Sequence, residues 1–102
     1  ALRPMYAVAL IHYRRPFEEI APHVDDHRAY LRSLKAAGIL LASGPFQPRH
    51  GGMLLLRLPD GGDPVATMDS IRDADPFTQR GMAQYEMLEW APVIGTEGLD
   101  AL

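Results

Sequence analysis

The 102-residue chain has no cysteine, a single tryptophan, no surplus of positive charge and no long apolar run. Without cysteine there is no disulfide framework, no thiol nucleophile and no cysteine-based zinc or iron–sulfur site, so stability must come from packing. Ten basic side chains stand against 13 acidic ones, for a net charge of −3, and only Arg14-Arg15 begins to form a basic patch. That argues against nucleic acid as a partner, because phosphate recognition needs a basic face. The continuous apolar stretches, such as Ile39 to Ala42 and Met53 to Leu56, fall far short of the roughly 20 residues that span a bilayer. The opening Ala-Leu-Arg-Pro-Met-Tyr also lacks the apolar core and cleavage site of a secretory signal, so no membrane partner is expected and the cytoplasm is the expected compartment. Repeats, low-complexity tracts and long linkers are absent as well. One domain is expected over residues 1–102, with a core over about 5–95 and a flexible C-terminal tail.

What is present is a readable alternation of elements. Met5 to Tyr13 is apolar on both alternating faces, as an inner strand covered on both sides requires. From Phe17 the period changes, and Phe17, Ile20, Val24, His27, Leu31 and Leu34 form one helical stripe. Pro22 is costly inside a helix, so the reading places a short turn over 17–21 and the main helix from about Pro22, stopped by Gly38. Ile39 to Ser43 reads as a strand ended by Gly44-Pro45, Pro48 to Gly52 as a hairpin turn, and Met53 to Leu58 as the returning strand. Asp63 and Pro64 open a second helix whose stripe is Val65, Met68 and Ile71 and which stops near Ala74. Gln84 to Trp90 alternates as a last strand, with Tyr85 and Met87 on one face and Glu86, Leu88 and Trp90 on the other.

Strand, helix, strand, strand, helix, strand is the ferredoxin-like βαββαβ order, an α+β fold with two helices on one face of a four-stranded antiparallel sheet. The strands offer apolar residues to both faces, but helices can cover only one. A second copy of the chain is the economical cover for the other, so a homodimer through the sheet face is expected.

Two residues stand out chemically. His27 lies on the core-facing stripe, where a polar ring needs a partner. Either a backbone carbonyl satisfies it, or the helix aims an imidazole into a cleft where it can exchange a proton near neutral pH. Asp75, just after a helix and before Pro76, is either a helix terminator or the acceptor that fixes the tautomer of His27. Ser43, Gly44 and Pro45 could contact a ligand at the same strand end, although Ser-Gly-Pro is also ordinary turn chemistry. His23 and His27 are four apart, a spacing that suits a shared metal, but the glutamate of His-Glu-x-x-His is lacking, and no metal site is assigned. His12 and His50 have no spacing argument. Tyr85, Met87 and Trp90 read as core or interface, and no nucleotide motif or other cofactor signature is present.

Taken together, His27-Arg28-Ala29-Tyr30-Leu31, Leu34, Gly38, Ser43-Gly44-Pro45-Phe46, Gly51-Gly52, Asp75-Pro76-Phe77, Gly81, Tyr85-Glu86 and Trp90 resemble the YciI-like, or YCII-related, proteins. The resemblance runs from Met5 to about Gly95. It implies a ferredoxin-like dimeric α+β barrel with a site at a His and Asp pair, here His27 and Asp75, with Ser43 near it. Relatives of that family include a dehydrochlorinase of chlorinated hydroxyhydroquinones and resemble muconolactone isomerases. The Glu18 to His23 stretch and the tail after Trp90 are similar to a longer branch of the family. The expected activity is therefore a cofactor-independent lyase or isomerase acting on a small oxygenated cyclic molecule, with His27 as proton shuttle and Asp75 as its orienter. The alternative is a non-catalytic dimer that binds a small ligand or has a regulatory role.

Overall fold

The computed structural model describes residues 4–102. Strand β1 (Met5–Tyr13) leads through Arg14-Arg15-Pro16 into a short helix, α1 (Phe17–Ile20). A 3₁₀ turn (Ala21–His23) follows, and the main helix α2 runs over Val24–Ala36. Pro22 thus lies in the 3₁₀ turn and not at the head of α2, because a residue without an N–H is most easily placed in the first positions of a helical turn. Asp25 and Asp26 occupy the first turn of α2, where the helix dipole favours negative charge. At the other end Gly38 takes φ +78°, the Gly38 N–H bonds to the Lys35 carbonyl and the Ile39 N–H to the Leu34 carbonyl. This left-handed exit turns the chain sharply into β2 (Leu40–Pro45).

Strand β2 pairs antiparallel with β3 (Gly51–Leu58), and a bulge at Leu41 shifts the register between Leu40 and Ala42. Gly51 and Gly52 were expected in the hairpin turn but belong to β3 itself. A side-chain carbon at Gly51 would lie 1.9 Å from the Ile11 carbonyl oxygen, and one at Gly52 would lie 2.7 Å from that of Gly44. The two glycines are there because neighbouring backbones press against β3 on both sides.

Helix α3 (Pro64–Ala74) begins as its sequence demands, with the Asp63 side chain accepting a hydrogen bond from the Val65 N–H at 3.1 Å. A short helix α4 (Pro76–Gln79) and strand β4 (Ala83–Trp90) follow, and a last helical turn α5 (Thr96–Asp100) lies in the tail. The sheet order is β2-β3-β1-β4, all neighbours antiparallel, which is the ferredoxin-like arrangement.

Ala7, Ala9 and Ile11 of β1, Leu54, Leu56 and Leu58 of β3 and Ala83 of β4 form the helix-facing layer, packed against Ile20, Leu31, Leu34, Met68, Ile71 and Phe77. Two members of the anticipated stripes are outside it. Val65 is 59% exposed at the first turn of α3, and Phe17 stacks on Tyr13 at the rim, with ring centres 6.1 Å apart.

The opposite face of the sheet is partly covered by the chain's own tail. Tyr6 is buried and donates to an Asp100 carboxylate oxygen at 2.5 Å, while its cross-strand neighbour Arg57 donates to the carbonyls of Leu99 and Leu102, each at 2.8 Å. The tail after Trp90 carries α5 and these hydrogen bonds. Val8, Leu10 and Leu55 are half-buried on the remainder of that face, and Met53, Leu88 and Trp90 are exposed. Among the described residues no helix is long and apolar enough to cross a membrane.

Candidate active site

The element order places His27 in the second turn of α2 and Asp75 at the joint between α3 and α4. Pro76 after Asp75 forces extended backbone at that joint (φ −73°, ψ 127°), which ends α3 and lets the Asp75 side chain cap α4. One carboxylate oxygen accepts the Phe77 N–H at 2.9 Å. The same carboxylate receives His27 Nδ1, at 2.9 and 2.8 Å from its two oxygens, and the hydroxyl of Tyr85 donates to it as well. Asp75 is fully buried, and these contacts give it three donors in place of water.

The carboxylate fixes the orientation of the imidazole. A carboxylate accepts, so Nδ1 of His27 is the donor in that bond, and in the neutral ring Nε2 is the nitrogen that holds the lone pair. The ring is held flat against Phe77, with centres 4.0 Å apart and planes 6° apart. A third restraint acts one turn earlier, where Arg80 donates to His23 Nδ1 at 3.0 Å and pairs with Asp26 at 2.9 Å, tying the start of α2 to the end of α4.

The phenols around the pair stay protonated. Burial raises Tyr85 far above the usual phenol range, and the neighbouring Asp75 charge and its hydrogen bond push the same way. Tyr30, whose hydroxyl donates to the Ile71 carbonyl at 2.7 Å, is pushed up to about 12 by burial and then by Asp75. Both therefore act as fixed donors through the neutral range.

His27 opens onto a cleft of about 150 Å³ between α2, β1 and the β2–β3 hairpin. Its side chain is 12% exposed, while Asp75 lies behind it and does not line the cleft. Ser43, Gly44 and Pro45 all reach the wall of that cleft, so the structure brings them to the face that His27 presents. Ser43 pairs with Leu54 in the sheet, which turns its side chain to the helix side. A shallower groove of about 340 Å³ between α2 and β2 shares Arg28, Leu31 and Ser43 with the cleft.

The other histidines are placed elsewhere. The Nδ1 atoms of His23 and His27 are engaged by different partners, Arg80 and Asp75, and among the described residues no group of three potential ligands could hold a metal ion. His12 faces Glu86 at 3.7 Å, and His50 stacks on Phe46.

Four contributors were not anticipated: Tyr85 as a donor to Asp75, Phe77 as the surface beneath the imidazole, and Arg28 and Arg49 in the cleft wall. For Tyr85 the signal was available. Alternation puts it on the helix-facing side of β4, and a phenol taken into a core needs an acceptor for its O–H.

With this geometry in place, comparison with known proteins identifies the class. The YCII-related domain model matches residues 5–91, so the chain belongs to that family. No curated protein matches it. Among solved structures it is similar to 5-chloro-2-hydroxyhydroquinone dehydrochlorinase from Burkholderia phenoliruptrix AC1100 in complex with 2,5-dihydroxybenzoquinone. The TM-score is 0.66 at 22% sequence identity, covering 87% of this chain and 96% of the other. At that identity the likeness is one of fold.

Proposed function

We propose that this protein is a lyase or isomerase in which His27 moves a proton on a small oxygenated ring compound. The observation that carries the reading is the single hydrogen-bonded line from buried Asp75 through His27 Nδ1, which leaves Nε2 as a base toward the cleft. Asp75 is a positioning residue that fixes the tautomer and stabilises the imidazolium formed when Nε2 takes a proton. Ser43, with the backbone of Gly44 and Pro45, supplies polar contacts to the substrate from the opposite wall.

The chemistry balances with a proton shuttle alone. In an elimination Nε2 takes a proton from carbon or hydroxyl, the released electron pair forms a new π bond, and halide leaves with its bonding pair. In an isomerisation the same proton returns from Nε2 to a different carbon. Neither course changes the oxidation state of an external partner, so neither asks for an electron carrier. Size supports a single ring, since a cavity of about 150 Å³ is enough to take up benzene. The structurally similar dehydrochlorinase, held with 2,5-dihydroxybenzoquinone, supports the same class of ligand.

His27→Gln is expected to lower turnover of an eliminated or isomerised substrate by about 10²–10⁴-fold while the fold persists. Turnover within threefold of wild type would remove the proton-transfer role and leave the cleft as a binding site. The exposed Met53, Leu88 and Trp90 beside Val8, Leu10 and Leu55 support a homodimer through the open sheet face. Light scattering should then give twice the chain mass for wild type and a lower mass for Leu88→Glu. A wild-type monomer at all concentrations would dismiss the dimer.

A further inference from the structure

The cleft in front of His27 has a charge that the proton-transfer reading does not use. Arg28, on α2 directly after the base, and Arg49, from the β2–β3 turn, both line it. Among the described residues no carboxylate lines the cleft, and neither arginine pairs with one, whereas Arg72 and Arg80 do. The carboxylate of Asp75 is buried behind the imidazole and taken up by its own donors.

Arg49 is also set in place. Its guanidinium carbon lies 4.4 Å from the centre of the Phe17 ring, and Phe17 is itself stacked on Tyr13. A guanidinium held over a ring by cation–π attraction still has N–H donors to offer a planar anionic group. This gives a use to the rim position of Phe17, which contributes little to the core.

We infer that the cleft selects a ring compound bearing an anionic oxygen group, a carboxylate or an ionised hydroxyl, gripped by Arg28 and Arg49 while the ring faces His27. This rests on the reading of the cleft as the substrate site and adds the charge of the substrate to it. An unpaired guanidinium beside a small partly enclosed cleft makes shorter and stronger hydrogen bonds to an anionic oxygen than to a neutral one. The two arginines are thus specificity-determining residues, and His27 remains the group that handles the proton.

The test uses matched probes, benzoate and benzamide, titrated into ¹⁵N-labelled protein and followed through amide shifts around the cleft. Benzoate is expected to bind about tenfold more tightly than benzamide, and the preference should collapse to near unity in Arg28→Gln/Arg49→Gln. Benzamide binding should hardly change in that variant. The control Arg14→Gln/Arg15→Gln removes the same charge away from the cleft and should retain the preference. Raising the salt concentration should weaken benzoate only. Equal binding of the two probes to wild type, no binding of either, or a preference that survives loss of both arginines overturns the inference. His27→Gln separates the two readings, because it should retain the benzoate preference while losing turnover. An active His27→Gln with the preference intact defeats only the proton-transfer role, and an inactive one that binds both probes equally defeats only the charge selection.

Discussion

Each face of the sheet carries a tyrosine that donates to an aspartate, Tyr85 to Asp75 on the helix side and Tyr6 to Asp100 on the other. The pairs are chemically alike and their settings are not. Asp75 is fully buried, capped by an amide and joined to an imidazole that borders a cleft. Asp100 is exposed, belongs to a short helix in the tail, and shares the hydroxyl of Tyr6 with Arg57 at 3.3 Å. What differs is access to water. A buried carboxylate must be satisfied by protein donors, and those donors are thereby ordered by it. The exposed one merely fastens a segment, because water can replace any partner it loses.

Removing the two carboxylates in turn should separate the two settings most widely. Asp75→Ala strands the Phe77 amide, the Tyr85 hydroxyl and the His27 ring, and should cost about 3 kcal/mol in denaturant unfolding as well as turnover. Asp100→Ala should leave both nearly unchanged, and equal losses for the two would show that burial is not what separates them. Tyr85→Phe removes one of the three donors to Asp75. It should cost about 1 kcal/mol and lower activity about tenfold without displacing the His27 ring from Phe77. An unchanged rate would make Tyr85 a core residue only.

Alkaline titration sharpens the same contrast. Above pH about 10 the phenols of the unfolded chain lose their protons, while Tyr85 and Tyr30 keep theirs in the folded protein. The native state then binds more protons, so stability falls as the pH rises from about 10 toward the folded Tyr30 value of about 12. Tyr85→Phe and Tyr30→Phe should each flatten that fall in pH-dependent unfolding. The smallest effect belongs to Tyr6→Phe, which should speed amide exchange in Thr96–Asp100 and leave turnover unaltered.

How much of this could be read in advance follows from how local each feature is. The βαββαβ order was legible because the strands and helices differ in period, and Asp63-Pro64 and Gly38 mark helix ends by chemistry that acts within a few residues. The approach of His27 to Asp75 was legible as a candidate, since one lies on the core stripe of α2 and the other at a forced helix end. Arg49 was not, because it sits in a turn and reaches Phe17 only after the hairpin folds back across α1. Gly51-Gly52 looked like turn residues, since the carbonyl of Ile11 that excludes a side chain there comes from a strand 40 residues earlier. Still longer separations in sequence hid the place of α5, whose anchor points are Tyr6 and Arg57 on strands at the start and middle of the chain.

The carboxylate of Asp75 starts α4, sets the direction of the imidazole and receives a phenol, all with two oxygen atoms. A mutation there strikes three tasks in one step, so few replacements can be neutral. Arg28, Arg49 and Ser43 have no comparable ties and stand on the solvent side of the same cleft. On the proposed reading, divergent copies of such a chain would trade one substrate for another by drifting at those wall positions, while the pair proposed to move a proton would be inherited intact.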